Sequence, residues 1–321
     1  MEYTSVNSKI WSRLGTCGAY GIAALELPKV VENIAVLTAD VCNYSGLDRF
    51  KDQYPECFHN VGIAEQNMIG IAAGFAKEGI IPFVSTYATF ASMRCADQVR
   101  VNMGYMNLPI KLVGLTSGLS VGILGPTHIC IEDISVMRTI PNIIVLSPAD
   151  CTETIKAILA AAEVNAPVYI RLTGPMNNPV VYKEDYDFKI GKAITLKEGN
   201  DIAIIATGTM VYNSLKAAEI LEEKGISTKV VDMHTIKPID CDIIKKCCNT
   251  KLIVTVEEHS VHGGLGAAVA EALSMIESKP KQLIIGLADE YKHAGDYAYL
   301  IEQYGLTSEQ IVDKIQEKYE R

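Results

Sequence analysis

Short, continuous apolar runs recur along this chain, and they constrain its fold more than any other feature. In the first half they lie at Asn33 to Asp40, Ile81 to Thr86, Ile110 to Leu115, Ile143 to Ser147 and Val168 to Leu172. Helical periodicity fills the intervals, over 65–77, 89–103 and 150–163. Strands that are apolar on both faces and alternate with helices imply a parallel sheet covered on both sides. The expected class is therefore α/β. Residues 1–30 read as an amphipathic helical region interrupted by Gly15, Gly18 and Gly21.

The rhythm breaks between Pro175 and Asp187, a proline-, asparagine- and tyrosine-bearing stretch that reads as a linker. A second alternation follows. Strand-like runs at Ile202 to Thr207, Thr228 to Met233, Leu252 to Glu257 and Gln282 to Leu287 are separated by helical patterns at 211–224, 239–248 and 264–277. A polar helix is expected over 305–320, with Thr307 and Ser308 available as caps. Two parallel-sheet α/β domains are expected, at 1–185 and 192–321, and 321 residues suffice for two cores.

Composition narrows the partners. A formal net charge of −9 argues against nucleic acid or an anionic membrane surface. The nine cysteines are odd in number, scattered and free of any Cys-x-x-Cys pair, so neither a disulfide framework nor a zinc site is expected. Buried thiols in a reducing cytoplasm account for them most simply. The N-terminus lacks a basic segment followed by an apolar one, and no apolar run approaches the ~20 residues that span a bilayer. A cytoplasmic chain without a membrane segment is the expectation.

In an open parallel sheet, ligands gather beyond the carboxyl ends of the strands. Several such ends are polar here: Asp40, Ser85-Thr86-Tyr87, Thr116-Ser117-Gly118 and Ser147 to Asp150. Glu65 follows Gly62 and opens a helical pattern with Met68, Ile69, Ala72, Ala73 and Ala76 on one face. A helix end favours its anion, whereas greasy surroundings favour the neutral acid. It reads either as a structural carboxylate or as a group with chemistry. Tyr87 and Phe90, three apart, are core aromatics or two rings facing one cleft. The glycine-rich stretch from Thr116 to His128 is a loop, and His128 at its end either satisfies the core or faces a cleft. Asp40, Glu132 and Asp133 have no spacing that specifies a metal. The glycines from Gly263 to Gly266 are a weak phosphate-loop signal, and a tight turn is the simpler reading.

Taken in order, these segments resemble the transketolase family of thiamine diphosphate enzymes, over nearly the whole chain. Gly62-Ile63-Ala64-Glu65-Gln66-Asn67 is similar to the segment whose glutamate touches the cofactor's aminopyrimidine. Thr86-Tyr87-Ala88-Thr89-Phe90 resembles the aromatic segment against that ring, and Gly125-Pro126-Thr127-His128 the active-site loop. Ile140-Pro141-Asn142, Ser147-Pro148-Ala149-Asp150, Thr235 to Asp240 and Val256-Glu257-Glu258-His259 continue the pattern.

The resemblance implies that Glu65 hydrogen-bonds N1′ of the aminopyrimidine, so that its 4′-nitrogen removes the C2 proton. Tyr87 and Phe90 would border the ring, Asp40 would lie beside the cofactor, and His128 would bond the reacting oxygens or the cofactor. The reaction implied is transfer of a two-carbon ketol unit from a ketose to an aldehyde acceptor.

The family's diphosphate and Mg²⁺ are held by a Gly-Asp-Gly segment, which is missing here: Gly295-Asp296 is followed by Tyr297. The resemblance therefore implies the C-terminal half of a split enzyme. A partner chain would supply the diphosphate and metal site, with two copies of each half expected. The match also departs from the family where the sugar is read. Leu124 stands where an aspartate contacts hydroxyls, and Ser117 and Gly174 stand near the places of a histidine and an arginine that hold sugar phosphate. Arg171 lies nearby, and the resemblance assigns it, with Ser117, Leu124 and His128, to the substrate. An atypical sugar is implied. Within the same cofactor class, a 1-deoxyxylulose-5-phosphate synthase-like chain and the β subunit of a 2-oxo acid dehydrogenase compete. A noncatalytic regulatory or scaffold subunit is the reading outside it.

Overall fold

The structure, a computed structural model, describes residues 1–320. Its twelve strands are β1 (Ile34–Thr38), β2 (Phe58–Asn60), β3 (Ile81–Tyr87), β4 (Lys111–Ser117), β5 (Ile144–Leu146), β6 (Val168–Thr173), β7 (Ile194–Lys197), β8 (Ile202–Ala206), β9 (Thr228–Asp232), β10 (Thr235–Lys237), β11 (Leu252–Ser260) and β12 (Lys281–Leu287). They form a seven-stranded sheet, ordered β10-β5-β6-β4-β3-β1-β2, and a five-stranded sheet, ordered β12-β11-β8-β9-β7. Both carry helices, as an α/β layer architecture requires.

Each sheet is parallel except at one edge. In the smaller sheet β7 runs antiparallel to β9. In the larger one β10 runs antiparallel to β5, pairing Thr235 with Leu146 and Lys237 with Val145. That edge strand comes from the second half of the chain, so the two halves share a sheet. Of the three-residue strands, β2 and β10 hold one apolar residue each and leave no apolar run, which is why the sequence pattern passed over them.

The central strands β1, β4, β6, β8 and the first half of β11 are mostly apolar because both of their faces are covered. One core cluster lies beneath the helix Glu65–Lys77 and continues through Val231, Met233 and Ile236 into the second half. A second lies under the helices Ser5–Val30 and Cys151–Glu163. A third belongs mainly to the second half, yet it includes Leu119, Ile129 and Ile131 from the loop after β4. From 174 to 193 there is neither helix nor strand, where the linker was expected.

Two glycines shape the N-terminal helix. Gly15, at φ 74, bends it so that the backbone passes close to Pro175. At Gly21 a Cβ would overlap the Gly46 carbonyl, so only glycine allows this approach. At the other end, Thr307 opens the helix Ser308–Tyr319 with a capping box to Gln310.

Candidate active site

Strand order reverses around β1, with β2 on one side and β3 on the other. The crevice beyond the carboxyl ends of β1 and β3 is therefore the place for a ligand. Asp40 sits just past β1 with φ 58. Its backbone N–H donates to Asn60 Oδ1 at 3.1 Å, and Asn60 Nδ2 donates to Asp40 Oδ1 at 3.1 Å. Asn60 Oδ1 also accepts from the Gly62 N–H at 3.0 Å. This exchange fixes the turn from β2 through Gly62, φ 74, into the helix that starts at Glu65.

No side chain caps that helix, and Glu65 in its first turn complements the positive end. Met68, Ile69, Ala72 and Ala73 bury the same face. Glu65 is only 4% exposed. Arg94 Nη1 donates to its Oε1 at 2.7 Å, while the arginine side chain is 45% exposed. Gln66 Nε2 donates to the Arg94 carbonyl at 3.0 Å and holds the two segments together.

The stretch expected as one helix over 89–103 is instead two wide π-type turns, Phe90–Arg94 and Arg100–Tyr105, around the short α-helix Ala96–Val99. The first turn closes from Phe90 O to Cys95 N at 3.2 Å. It brings the Arg94 guanidinium over the Phe90 ring, 4.0 Å from the centroid. Such wide turns frequently mark functional positions. Phe90 also meets Tyr87 edge-on at 5.9 Å, and both rings meet the His128 imidazole, at 5.4 Å and 5.5 Å. Tyr44 extends the aromatic wall beyond Tyr87, at 6.0 Å. His128 Nδ1 lies 2.9 Å from the Thr127 hydroxyl.

The structure thus gathers Glu65, Tyr87, Phe90 and His128, with Asp40 at the neighbouring strand end. The other candidates fall elsewhere. Leu124 stands exposed on the loop at 47%. Ser117 is fully buried, and its hydroxyl donates to the Gly114 carbonyl at 3.2 Å. The assignment of Arg171 to substrate is corrected. It is 1% exposed, its Nε donates to both oxygens of Asp133 at 3.1 and 2.9 Å, and its Nη2 donates to the Glu258 carbonyl at 2.7 Å. A guanidinium so enclosed cannot reach a sugar, and the burial of Ser117 likewise removes it from substrate contact.

Three participants escaped the sequence reading. Arg94 had one available signal, its position about one turn after Phe90. Tyr44 had none. Glu258 was visible as the second of two adjacent acids in a strand that is buried throughout.

The donor set suits one half of a thiamine diphosphate site. A buried carboxyl beside half-buried rings fits an aminopyrimidine edge and face. Among the described residues no group of three His, Cys, Asp or Glu is placed to hold a metal ion.

Residues 13–177 match the family description "Transketolase, pyrimidine binding domain", and residues 191–311 match "Transketolase, C-terminal domain". The chain belongs to the transketolase family. That family works with thiamine diphosphate and a divalent metal. The chain is 42% identical to a putative transketolase C-terminal section of Methanocaldococcus jannaschii, over 94% of this chain and 95% of the other. It is 40% identical to the 6-deoxy-6-sulfo-D-fructose transketolase subunit SqwH of Clostridium sp., over 92% of each chain. A solved structure described as a split gene transketolase, inactive beta4 tetramer, superposes with a TM-score of 0.85 at 40% identity, covering 95% of this chain and 97% of that one. The transketolase family placement thus extends over both halves, and no described helix is long and apolar enough to cross a membrane.

Proposed function

We propose that this chain is one subunit of a split transketolase, with residues 1–185 as its pyrimidine-binding unit and 192–321 as its C-terminal unit. The observation that carries this reading is the buried Glu65 carboxyl, joined through Arg94 to the Phe90 ring, which in turn meets Tyr87 and His128. A separate N-terminal subunit would hold the diphosphate and Mg²⁺, with two copies of each chain.

When bound, thiamine diphosphate would supply a carbon that becomes nucleophilic on losing its proton, able to take up the two-carbon unit of a ketose and release it to the acceptor. Glu65 would hold a proton at the edge of the aminopyrimidine once Arg94 moves aside. Phe90 and Tyr87 would border the ring and keep water from it. Burial raises the Tyr87 hydroxyl above its ordinary range, so it remains a hydrogen-bond donor. His128, at the rim of the same aromatic wall, would bond the reacting oxygens. Asp40 would order the turn that leads into Glu65.

An atypical sugar is the substrate this reading favours. Leu124 offers the loop an apolar side chain where hydroxyls would be read, and Ser117 and Arg171 are enclosed. The relative named for a sulfonated fructose agrees with a departure from ordinary sugar phosphates. The free cysteines fit a reducing cytoplasm.

The test is reconstitution with an N-terminal subunit carrying Gly-Asp-Gly, assayed with xylulose 5-phosphate, modified ketoses and pyruvate as donors. Ketol transfer by the pair, absent from the lone chain, is expected, with a modified ketose preferred. Robust turnover by the lone chain would refute the split site, and efficient use of pyruvate would refute the ketol donor.

A further inference from the structure

The loop that carries His128 belongs to the first half of the chain, yet the second half holds it. Its neck is closed by paired backbone bonds: Gly118 N donates to Cys130 O at 2.8 Å and Cys130 N to Gly118 O at 3.1 Å. At that neck stands the Glu258 carboxylate, fully enclosed, from β11. Its Oε1 accepts from the Leu119 N–H at 2.6 Å. Its Oε2 accepts from the Thr209 and Tyr297 hydroxyls, each at 2.6 Å. A Cβ at Gly118 would overlap Glu258 Oε1, and Gly118 has φ +65, so the neck admits only glycine.

Further contacts from the second half repeat the pattern. Ser260 N donates to Ile131 O at 2.8 Å, and Gly295 N to Gly122 O at 3.2 Å. Leu119, Ile129 and Ile131 pack in the second half's core with Val256 and Leu300. Beyond the loop, Arg171 and the Tyr169 hydroxyl both bond Asp133, the first residue of the next helix. The same Arg171 returns to the Glu258 carbonyl at 2.7 Å. Both ends of the loop are therefore referred to one strand.

The neighbours of Glu258 do related work. Glu257 accepts from the N–H groups of Leu265 and Gly266, at 2.6 and 2.7 Å, and so covers the start of the helix Leu265–Ser274 that follows β11. His259 faces Ser135, with Nε2 3.4 Å from the Ser135 N–H, while its Nδ1–H donates to Ser260 O at 2.8 Å. Among these three only Glu258 reaches the loop.

We propose that Glu258 is a positioning residue for His128: its carboxylate fixes the neck of the loop and thereby the place of the imidazole against Tyr87 and Phe90. The C-terminal half then takes part in the reaction without lending a residue to the cleft. This rests on the transketolase reading for its effect on rate, but not for its effect on the loop.

The test has two arms, on Glu258→Ala, Glu258→Gln and Tyr297→Phe. In the lone full-length chain, hydrogen exchange of the amides from 119 to 130 should speed by about tenfold or more in Glu258→Ala, against little change in the rest of β11. Glu258→Gln should stay near the parent, because an amide oxygen still accepts from Leu119 while its NH₂ meets two hydroxyls that can accept. In the reconstituted pair, Glu258→Ala should lower kcat by about 10²-fold, the scale of a catalytic group displaced by an ångström, with thiamine diphosphate affinity within about twofold. Tyr297→Phe removes one donor and should give the same signature more weakly, should Glu258→Ala fail to fold. Unchanged exchange in the loop would overturn the proposal. So would exchange quickened equally throughout the second half, or cofactor affinity lost in step with kcat. If the unaltered pair transfers no ketol unit, the functional reading falls while the exchange arm still decides whether Glu258 fixes the loop.

Discussion

Arg94 Nη1 rests 2.7 Å from Glu65 Oε1, so a half-exposed cation covers a nearly buried acid. An aminopyrimidine and Arg94 cannot both take that oxygen. In the reconstituted pair, Arg94→Ala should therefore tighten thiamine diphosphate binding. A partly solvated pair contributes at most about 1 kcal/mol, which limits the gain to about fivefold. Titration of the cofactor would read it, and weaker binding would show that Arg94 assists the cofactor instead of competing with it.

Glu65→Gln keeps the shape of the side chain but replaces one carboxyl oxygen by an amide NH₂. Turnover should fall by orders of magnitude while the subunits still assemble, as checked by size-exclusion chromatography beside a steady-state assay. Near-normal turnover would remove Glu65 from the chemistry.

Arg171 and Asp133 form a buried ion pair inside a closed network. Removing one partner leaves the other charge enclosed and unpaired. Asp133→Ala should cost about 3–5 kcal/mol of stability, measured by chemical denaturation. A loss below about 1 kcal/mol, a surface-pair value, would contradict this picture.

Stability should fall as pH rises towards neutrality. Burial raises Asp150 to about 6, Asp232 to about 7 and Glu257 to about 7. Unfolded carboxyls titrate near 4, so between about 4 and 7 the folded chain binds more protons than the unfolded one. Their contribution is complete below that window and disappears as pH climbs through it. Burial lowers His234 and His259 to about 4, and between about 4 and 6.5 these oppose the trend. Between about 6.5 and 7 the histidines are neutral in both states and the carboxyls prevail; burial lowers Lys111 to about 7, and above that the unfolded chain binds the extra proton and Lys111 opposes the decline. Calorimetry of the lone chain at fixed ionic strength should show Tm declining from pH 6 to 7, and Asp232→Asn should flatten the slope. A rising Tm in that range would contradict the assignment.

The strands buried on both faces were legible because continuous apolar runs have few other uses. The helix Glu65–Lys77 was legible from its periodicity, and Glu65, Tyr87, Phe90 and His128, which the fold brings together, were singled out by an ordered set of motifs. The wide turns around Phe90 and Arg100 were not, because apolar spacing barely distinguishes them from an α-helix. Arg171 shows a different limit. Tyr169 and Arg171 lie two apart on β6 and face the same way, while Ile170 and Leu172 face the other core. That alternation is readable. The presence of Asp133 opposite is not, since it depends on how distant segments pack. Glu258 escaped for the same reason: its partners lie 139, 49 and 39 residues away.

The antiparallel edge β10 means that this polypeptide cannot be divided at its linker. A fragment ending near residue 185 would lose Thr235–Lys237 and leave β5 with a bare row of N–H and C=O groups. Such an edge invites pairing with other chains. Truncation between the two halves should therefore yield aggregates in place of a freestanding pyrimidine-binding module, and gene fusions or tags belong at the ends of the chain.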